Sequence, residues 1–144
     1  MDNLDNMLEK AIELAVQYHK GQRDKAGHPY ILHPLSVMAN VNGVEFKIVA
    51  VLHDILEDTP LTEEELSEHF PEHIVRSVKA ITKTKGDDYF DYLKRVKADQ
   101  YAKTVKIADI KHNISADRLR QLPEKDIQRL SAKYCKSLDF LESG

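Results

Sequence analysis

Residues 50–60 read AVLHDILEDTP, and within them His53, Asp54, Glu57 and Asp58 interrupt an apolar run of Ile48, Val49, Val51, Leu52, Ile55 and Leu56. Four titratable groups in a segment built for burial need compensation, because an unpaired buried charge is strongly destabilising. On one continuous helix, residues four apart share a face, which places His53 over Glu57 and Asp54 over Asp58. A divalent cation is the simplest compensation, since it favours neutral imidazole and ionised carboxylate together. The competing reading is a helix end, with Glu57 and Asp58 in solvent and His53 a hydrogen-bonded core histidine. For a lone His-Asp pair that reading prevails. This pair is not alone: His33 lies 20 residues before His53, and Asp109, in VKIADIKHN, lies 55 residues after Asp54.

The elements that must carry these groups read as helices. Leu4, Leu8, Ala11, Ala15 and Tyr18 predict a helix over 4–20 that stops at Gly21. GQRDKAGHPYILHP, with two glycines and two prolines, reads as a loop. It leads to a short helix over 34–41, with His33 at its entrance and Pro34 in its first turn. The opening segment belongs to a helix over 45–57 that ends before Thr59-Pro60. Thr62 and Glu65 make a capping-box pattern that starts a helix running to about residue 69. Pro71 starts another, with Ile74, Val75, Val78 and Ile81 as its apolar side. Helices are also predicted over 88–97 and 100–115, the second with Tyr101, Val105, Ala108 and His112 on one side. Pro123 precedes the last, whose stripe is Ile127, Leu130, Tyr134, Leu138 and Leu141. No stretch alternates as a strand would, so the expected fold class is all-α.

Composition sets the frame. A chain of 144 residues suits one domain with a full core, so residues 1–144 are expected to form a single compact helical bundle. With 42% hydrophobic and 31% charged residues, and no apolar run near the roughly 20 residues of a membrane span, a soluble protein is expected. The amino terminus MDNLDNMLEK lacks the basic-then-apolar pattern of a leader, which points to the cytoplasm. Cys135 has no second cysteine to pair with and reads as a buried thiol in the last helix's stripe. A net charge of −3 and a pI near 6.2 argue against a nucleic-acid coat, so an anionic ligand must be held by local cations. Neither nucleic acid nor a membrane is an expected partner, and the oligomeric state stays open.

In order and spacing, GQRDKAGHPYILHP, LHDILEDT and VKIADIKHN resemble the motifs of the HD superfamily of metal-dependent phosphohydrolases. In that family two histidines and two aspartates from separate helices hold one metal. The likeness is greatest to the RelA/SpoT-type hydrolase domain of the stringent response, which removes the 3′-pyrophosphate of guanosine tetraphosphate (ppGpp), usually with manganese. It runs to about residue 119, and with no synthetase or regulatory domain following, small stand-alone hydrolases are the expected type. By that resemblance His33, His53, Asp54 and Asp109 would be the metal ligands. Glu57 and Asp58 would orient or deprotonate the attacking water. Arg23 and Lys25 would hold phosphates, with Tyr30 and Asn113 beside the nucleotide. The implied cofactor is one divalent ion, manganese first, although such a nitrogen and oxygen set also takes iron, cobalt or zinc. Lys83 and Lys106 are weaker candidates beside the nucleotide, since lysines on helices are usually solvated, and His19, His28, His69, His73 and His112 match no ligand position.

The sequence departs from the family in two places. Asp24 stands between Arg23 and Lys25 where a second arginine commonly stacks on guanine, and Ile110-Lys111 replaces Arg-Leu. The implied function is ppGpp 3′-pyrophosphate hydrolysis with a weakened base contact. Two alternatives stand beside it: an HD phosphohydrolase for another nucleotide or phosphate ester, and a non-catalytic metal- or nucleotide-binding module.

Overall fold

The computed structural model describes residues 3–115 and 122–143. The chain passes through α1 (Asn3–His19), α2 (Leu32–Ala39), α3 (Val44–Leu52), the single turn α4 (Ile55–Asp58), α5 (Glu63–Ser67), α6 (Glu72–Ile81), α7 (Tyr89–Lys97), α8 (Gln100–Asn113) and α9 (Glu124–Glu142). Among the described residues no strand forms, and the only β feature is an isolated antiparallel bridge between Arg23 and Pro29. The fold is all-α.

Helix α3 is the centre. Ile48, Val49, Ala50, Val51 and Leu52 are each 0% exposed, so every side of the second half of the helix is covered, and that half is an unbroken apolar run. Helices α1, α2, α6 and α8 pack around it. Helix α6 buries Ile74, Val75, Val78 and Ile81, the face its spacing predicts. Helix α8 buries Val105 and Ala108 together with Asp109 and Ile110. Helix α9 lies against α7 and α8, at the edge of the core, and of its predicted stripe only Leu141 is fully covered.

Local signals act as expected at several ends. Gly21, at φ 87°, terminates α1 in a conformation other residues rarely adopt. Thr62 and Glu65 form the reciprocal capping box, each side-chain oxygen accepting the other's backbone N–H at 3.1 Å. Asp99 accepts the N–H groups of Tyr101 and Ala102 at the start of α8 and the Ser77 hydroxyl of α6 at 2.8 Å, joining two helices at one residue. Arg95 donates to the carbonyls of Ala80 and Thr82, which fastens the chain where it leaves α6.

Three expectations are corrected. The helix predicted over 45–57 is broken at His53-Asp54. His53 Nδ1 donates to the Ala50 carbonyl at 2.6 Å, and the His53 N–H reaches the same carbonyl at 3.3 Å, three residues back. Asp54 then takes φ −104°, ψ 0°, outside the helical range, before α4 resumes. His53 and Asp54 therefore sit on a turn: the continuous helix that would stack His53 over Glu57 is interrupted, while Asp54 still caps α4, its carbonyl accepting the Asp58 N–H four residues on at 2.9 Å. Helix α2 starts earlier than predicted, at Leu32, with Pro34 still in its first turn. Cys135 is exposed: it follows Tyr134 by one residue, about 100° around the helix, and so leaves the stripe.

Candidate functional site

The turn between α3 and α4 faces α2 and α8, and that is where the predicted groups meet. His33, His53 and Asp109 are 3%, 2% and 5% exposed, and one potential ligand atom from each lies within 4.8 Å of the others. Asp109 Oδ1 is 2.8 Å from His33 Nε2 and 3.3 Å from His53 Nε2. Asp54 Oδ2 lies 3.0 Å from His53 Nε2 and 3.9 Å from His33 Nε2. The far ring nitrogens are also engaged. A carbonyl can only accept, so Ala50 makes His53 Nδ1 a donor and turns its Nε2 toward the carboxylates. His33 Nδ1 lies 2.7 Å from His112 Nδ1.

Electrostatics favour a cation here. Burial lowers the His53 imidazole, yet Asp54 and Asp109 outweigh it and hold its pKa well above the usual histidine range. Burial also raises the Asp54 and Asp109 carboxyls. His53 overrides this at Asp54, and Lys106 with the two histidines overrides it at Asp109, so both stay below the usual carboxylate range. The cluster draws positive charge into a buried place. Two imidazole nitrogens and two carboxylates are also a donor set that suits a divalent transition metal, so the residues fit the ion that their pattern implies.

Around the cluster, the Tyr30 hydroxyl donates to Asp54 Oδ2, and burial raises its pKa so that it keeps the proton it donates. Lys106 Nζ lies 3.1 Å from Asp109 Oδ2, and Asn113 Nδ2 donates to Asp109 Oδ1 at 3.4 Å. Lys106 is thus an ion-paired lysine of the site, not a solvated one. Glu57 and Asp58 project from α4 beside these groups. Glu57 accepts the Lys83 N–H at 3.1 Å. Burial, then Asp54 and Glu57, push the Asp58 carboxyl up to about 6.

A cavity of about 250 Å³ contains the four predicted ligands, Glu57, Asp58, Tyr30 and Asn113, together with Lys83, Lys106 and Lys133. A second, of about 350 Å³, is lined by Arg23, Asp24, Lys25 and Leu130, and shares Tyr30, Asn113 and Tyr134 with the first. All ten predicted site residues therefore line one of two adjoining cavities. A larger one, about 710 Å³, opens over Leu56, Leu61 and Ala80 and contains none of them.

Asp24 has a local reason to be an aspartate. Its Oδ1 accepts the N–H groups of Ala26 and His28 at 2.9 Å each, and Gly27 turns at φ 86°, so the carboxylate closes the loop that presents Arg23 and Lys25. Gln22 ties the same loop to α4 by donating to the Asp58 carbonyl at 2.8 Å.

Sequence reasoning missed His112. It lies three residues beyond Asp109 and so shares its side of the helix, a spacing that was there to be read. Its ring stacks on His33 with centroids 4.9 Å apart. His112→Phe keeps a stacking ring and removes the Nδ1 partner, so divalent-metal affinity is expected to fall about 10- to 100-fold. Titration of the metal-free protein with Mn2+ measures it, and unchanged affinity would reduce His112 to packing.

The family described as HD domain matches residues 11–139. The chain belongs to the HD domain family. HD domain hydrolases bind a divalent metal, and His33, His53 and Asp109 are residues of this HD domain that could hold one. A guanosine-3′,5′-bis(diphosphate) 3′-pyrophosphohydrolase of Aquifex aeolicus is 37% identical over 102 residues, covering 68% of this chain and 14% of that protein. One of Borreliella burgdorferi is 34% identical over 146 residues, covering 89% of this chain and 21% of that protein. The HD domain chain thus spans less than a quarter of the length of these relatives. A solved structure, described as a metazoan ortholog of SpoT that hydrolyzes ppGpp and plays a role in starvation responses, superposes with TM-score 0.78 at 20% identity. That alignment covers 95% of this chain and 86% of the other, and it shows a shared fold.

Proposed function

We propose that this HD domain is a metal-dependent phosphohydrolase that removes the 3′-pyrophosphate of ppGpp, the reaction for which the two bacterial relatives are named. The observation that carries it is the convergence, on one cavity, of two imidazoles and two carboxylates with a second carboxylate pair on the adjoining turn. His33, His53, Asp54 and Asp109 would hold one divalent ion, and manganese is the ion we assign. Such an ion lowers the pKa of water in its shell and screens phosphate charge.

The protein's own groups do the rest. Ala50 and His112 orient the two imidazoles, while Tyr30 and Lys106 orient the two aspartates. Asp58 accepts the proton of the attacking water as the water oxygen bonds to the phosphorus next to the ribose. Glu57, held by the Lys83 N–H, orients that water. The bond from phosphorus to O3′ breaks, O3′ takes up a proton, and GDP and pyrophosphate leave. Arg23, Lys25, Asn113 and Tyr134 line the neighbouring cavity, which suits the nucleoside and its 5′-phosphates.

Incubation with ppGpp and Mn2+ is expected to yield GDP and pyrophosphate in equal amounts. Orthophosphate in place of pyrophosphate, or no product, would refute the ppGpp assignment. A second reading, hydrolysis of another phosphate ester, is favoured by Asp24, whose carboxylate lines the nucleoside cavity in place of a stacking arginine. Turnover of a different ester with none of ppGpp would establish it.

A further inference from the structure

Helix α1 ends on His19, which matches no ligand position and lines neither of the two adjoining cavities. It is nonetheless only 1% exposed. Its Nδ1 lies 2.8 Å from Gln22 Oε1, and the other end of that amide, Nε2, donates to the Asp58 carbonyl at 2.8 Å. A carbonyl can only accept, so Asp58 fixes the amide with its oxygen toward His19, and that oxygen makes the His19 Nδ1 a donor. The neutral imidazole then carries its remaining lone pair on Nε2, a buried atom with no hydrogen-bond partner among the described residues. An unpaired buried polar atom is destabilising, and an apolar side chain would fill the same space without that penalty. Packing therefore does not explain the ring. What it gains lies on the Nδ1 side.

Gln22 is where three parts of the site meet. Its N–H donates to the His19 carbonyl at 3.0 Å, its carbonyl accepts the Tyr30 N–H at 2.9 Å, and its side chain bridges His19 and Asp58. The His19 ring also lies against the Tyr30 ring, with centroids 5.3 Å apart and a tilt of 45°, and the Tyr30 hydroxyl donates to Asp54. Helix α4 is a single turn of four residues, too short to hold its own direction. The carbonyls at a helix end have no partner within the helix. For Asp58 that partner is the Gln22 amide, 36 residues away in sequence.

We propose that His19 and Gln22 are positioning residues for Asp58: the buried imidazole holds the Gln22 amide in one orientation, and the amide holds the turn that aims the Asp58 carboxylate at the attacking water. The proposal rests on the phosphohydrolase reading above, in which Asp58 accepts the water proton, and adds a brace of that residue from the end of α1. Neither residue touches the reacting atoms, and neither exchanges a proton. Without the imidazole the amide is free to turn, and a one-turn helix held at one point fewer presents its carboxylate over a wider range of directions. Fewer bound substrates then meet a water in attack geometry.

Steady-state hydrolysis of ppGpp at saturating Mn2+ tests the brace in two variants. His19→Phe keeps a ring against Tyr30, and Gln22→Met keeps the length of a half-buried loop side chain. Each is expected to lower kcat about tenfold, with KM within about twofold and manganese stoichiometry unchanged. Combined, they are expected to lower kcat no further than Gln22→Met does alone, because the imidazole acts only through the amide. Over Asp58→Asn, each is expected to change kcat by less than about twofold. A further tenfold loss over Asp58→Asn, losses that multiply in the combined variant, or a raised KM at unchanged kcat would overturn the brace, since a general loosening of the fold is felt whether or not Asp58 is present. Amide hydrogen exchange gives a readout that needs no turnover: residues 55–59 are expected to exchange about tenfold faster in both variants, with α3 and α8 unchanged. That result in a protein that releases no pyrophosphate would sustain the brace and refute the hydrolase. Unchanged exchange and unchanged kcat in Gln22→Met would overturn the brace and leave the hydrolase standing.

Discussion

Asp54→Ala is expected to leave the folded protein without its divalent ion and to lower the hydrolytic rate by about a thousandfold or more, the consequence of losing several kcal/mol of charge stabilisation. Asp54 is the informative choice because the tightest group of donors contains only His33, His53 and Asp109. Its Oδ2 stands 3.0 Å from His53 Nε2, aimed by the Tyr30 hydroxyl, so it is oriented as a fourth ligand would be. No neighbour can take its place. Asp109 already accepts from His33, His53, Lys106 and Asn113, and Glu57 is held on the next turn by the Lys83 N–H. The substitution falls on a turn between two helices and removes no apolar core contact, so the chain should still fold. Elemental analysis after gentle purification measures the ion, with about one per chain expected in the wild type and far less in the variant. Full stoichiometry in Asp54→Ala would make the two histidines and Asp109 the whole set. The variant should also lose the thermal stabilisation that an added divalent ion is expected to give the wild type, since a ligand stabilises only the state that binds it.

Why the aspartate sits on a turn was not legible in the sequence. Leu52, Ile55 and Leu56 continue the apolar spacing across the break, so periodicity is silent there. The break depends on the His53 ring taking the Ala50 carbonyl, a rotamer that only the packed site selects. Where a signal depends on neighbours in sequence, it transferred well: the Thr62-Glu65 cap, the apolar face of α6 and the glycine stop of α1 all form. The chemical groups were legible as types in order. Their meeting point was not, because His33 and Asp109 are 76 residues apart and only the packing of α2 and α8 on α3 joins them.

The lysines and His112 mark the same boundary. Lysines on helices usually face water, and Lys106 departs from that because Asp109, three residues on, needs a cation in a buried place. That pairing lies within one helix and was open to sequence reasoning. Lys133 was not, since Tyr89, Lys83 and Lys106 reach it from other elements. Asp24 reads as a weakened base contact when set against a family pattern, and its bonds to the Ala26 and His28 N–H groups give it a purely local purpose.

The second large effect separates chemistry from metal binding. Replacing Glu57 by Gln and Asp58 by Asn keeps size and hydrogen bonding, so the ion should stay while the rate falls by about a hundredfold to ten-thousandfold. In Glu57→Gln the new amide oxygen would still accept the Lys83 N–H, which preserves orientation at that position. Asp58→Asn should therefore carry most of the loss, because Asp58 is the carboxylate whose proton affinity burial, Asp54 and Glu57 push up to about 6. A base closer in pKa to the working pH is the better proton acceptor. The pH profile then has a fixed sign. The ionised form is the active one, so the rate falls as the pH drops through the Asp58 pKa. A bound divalent cation favours ionisation, so that acid limb should lie at or below about 6. In Asp58→Asn the limb should flatten along with the loss of rate, whereas a limb that persists unchanged would assign the titration to another group. Loss of metal in the double variant would make these two carboxylates ligands, and full activity would return α4 to the solvated helix end that a lone His-Asp pair first suggests.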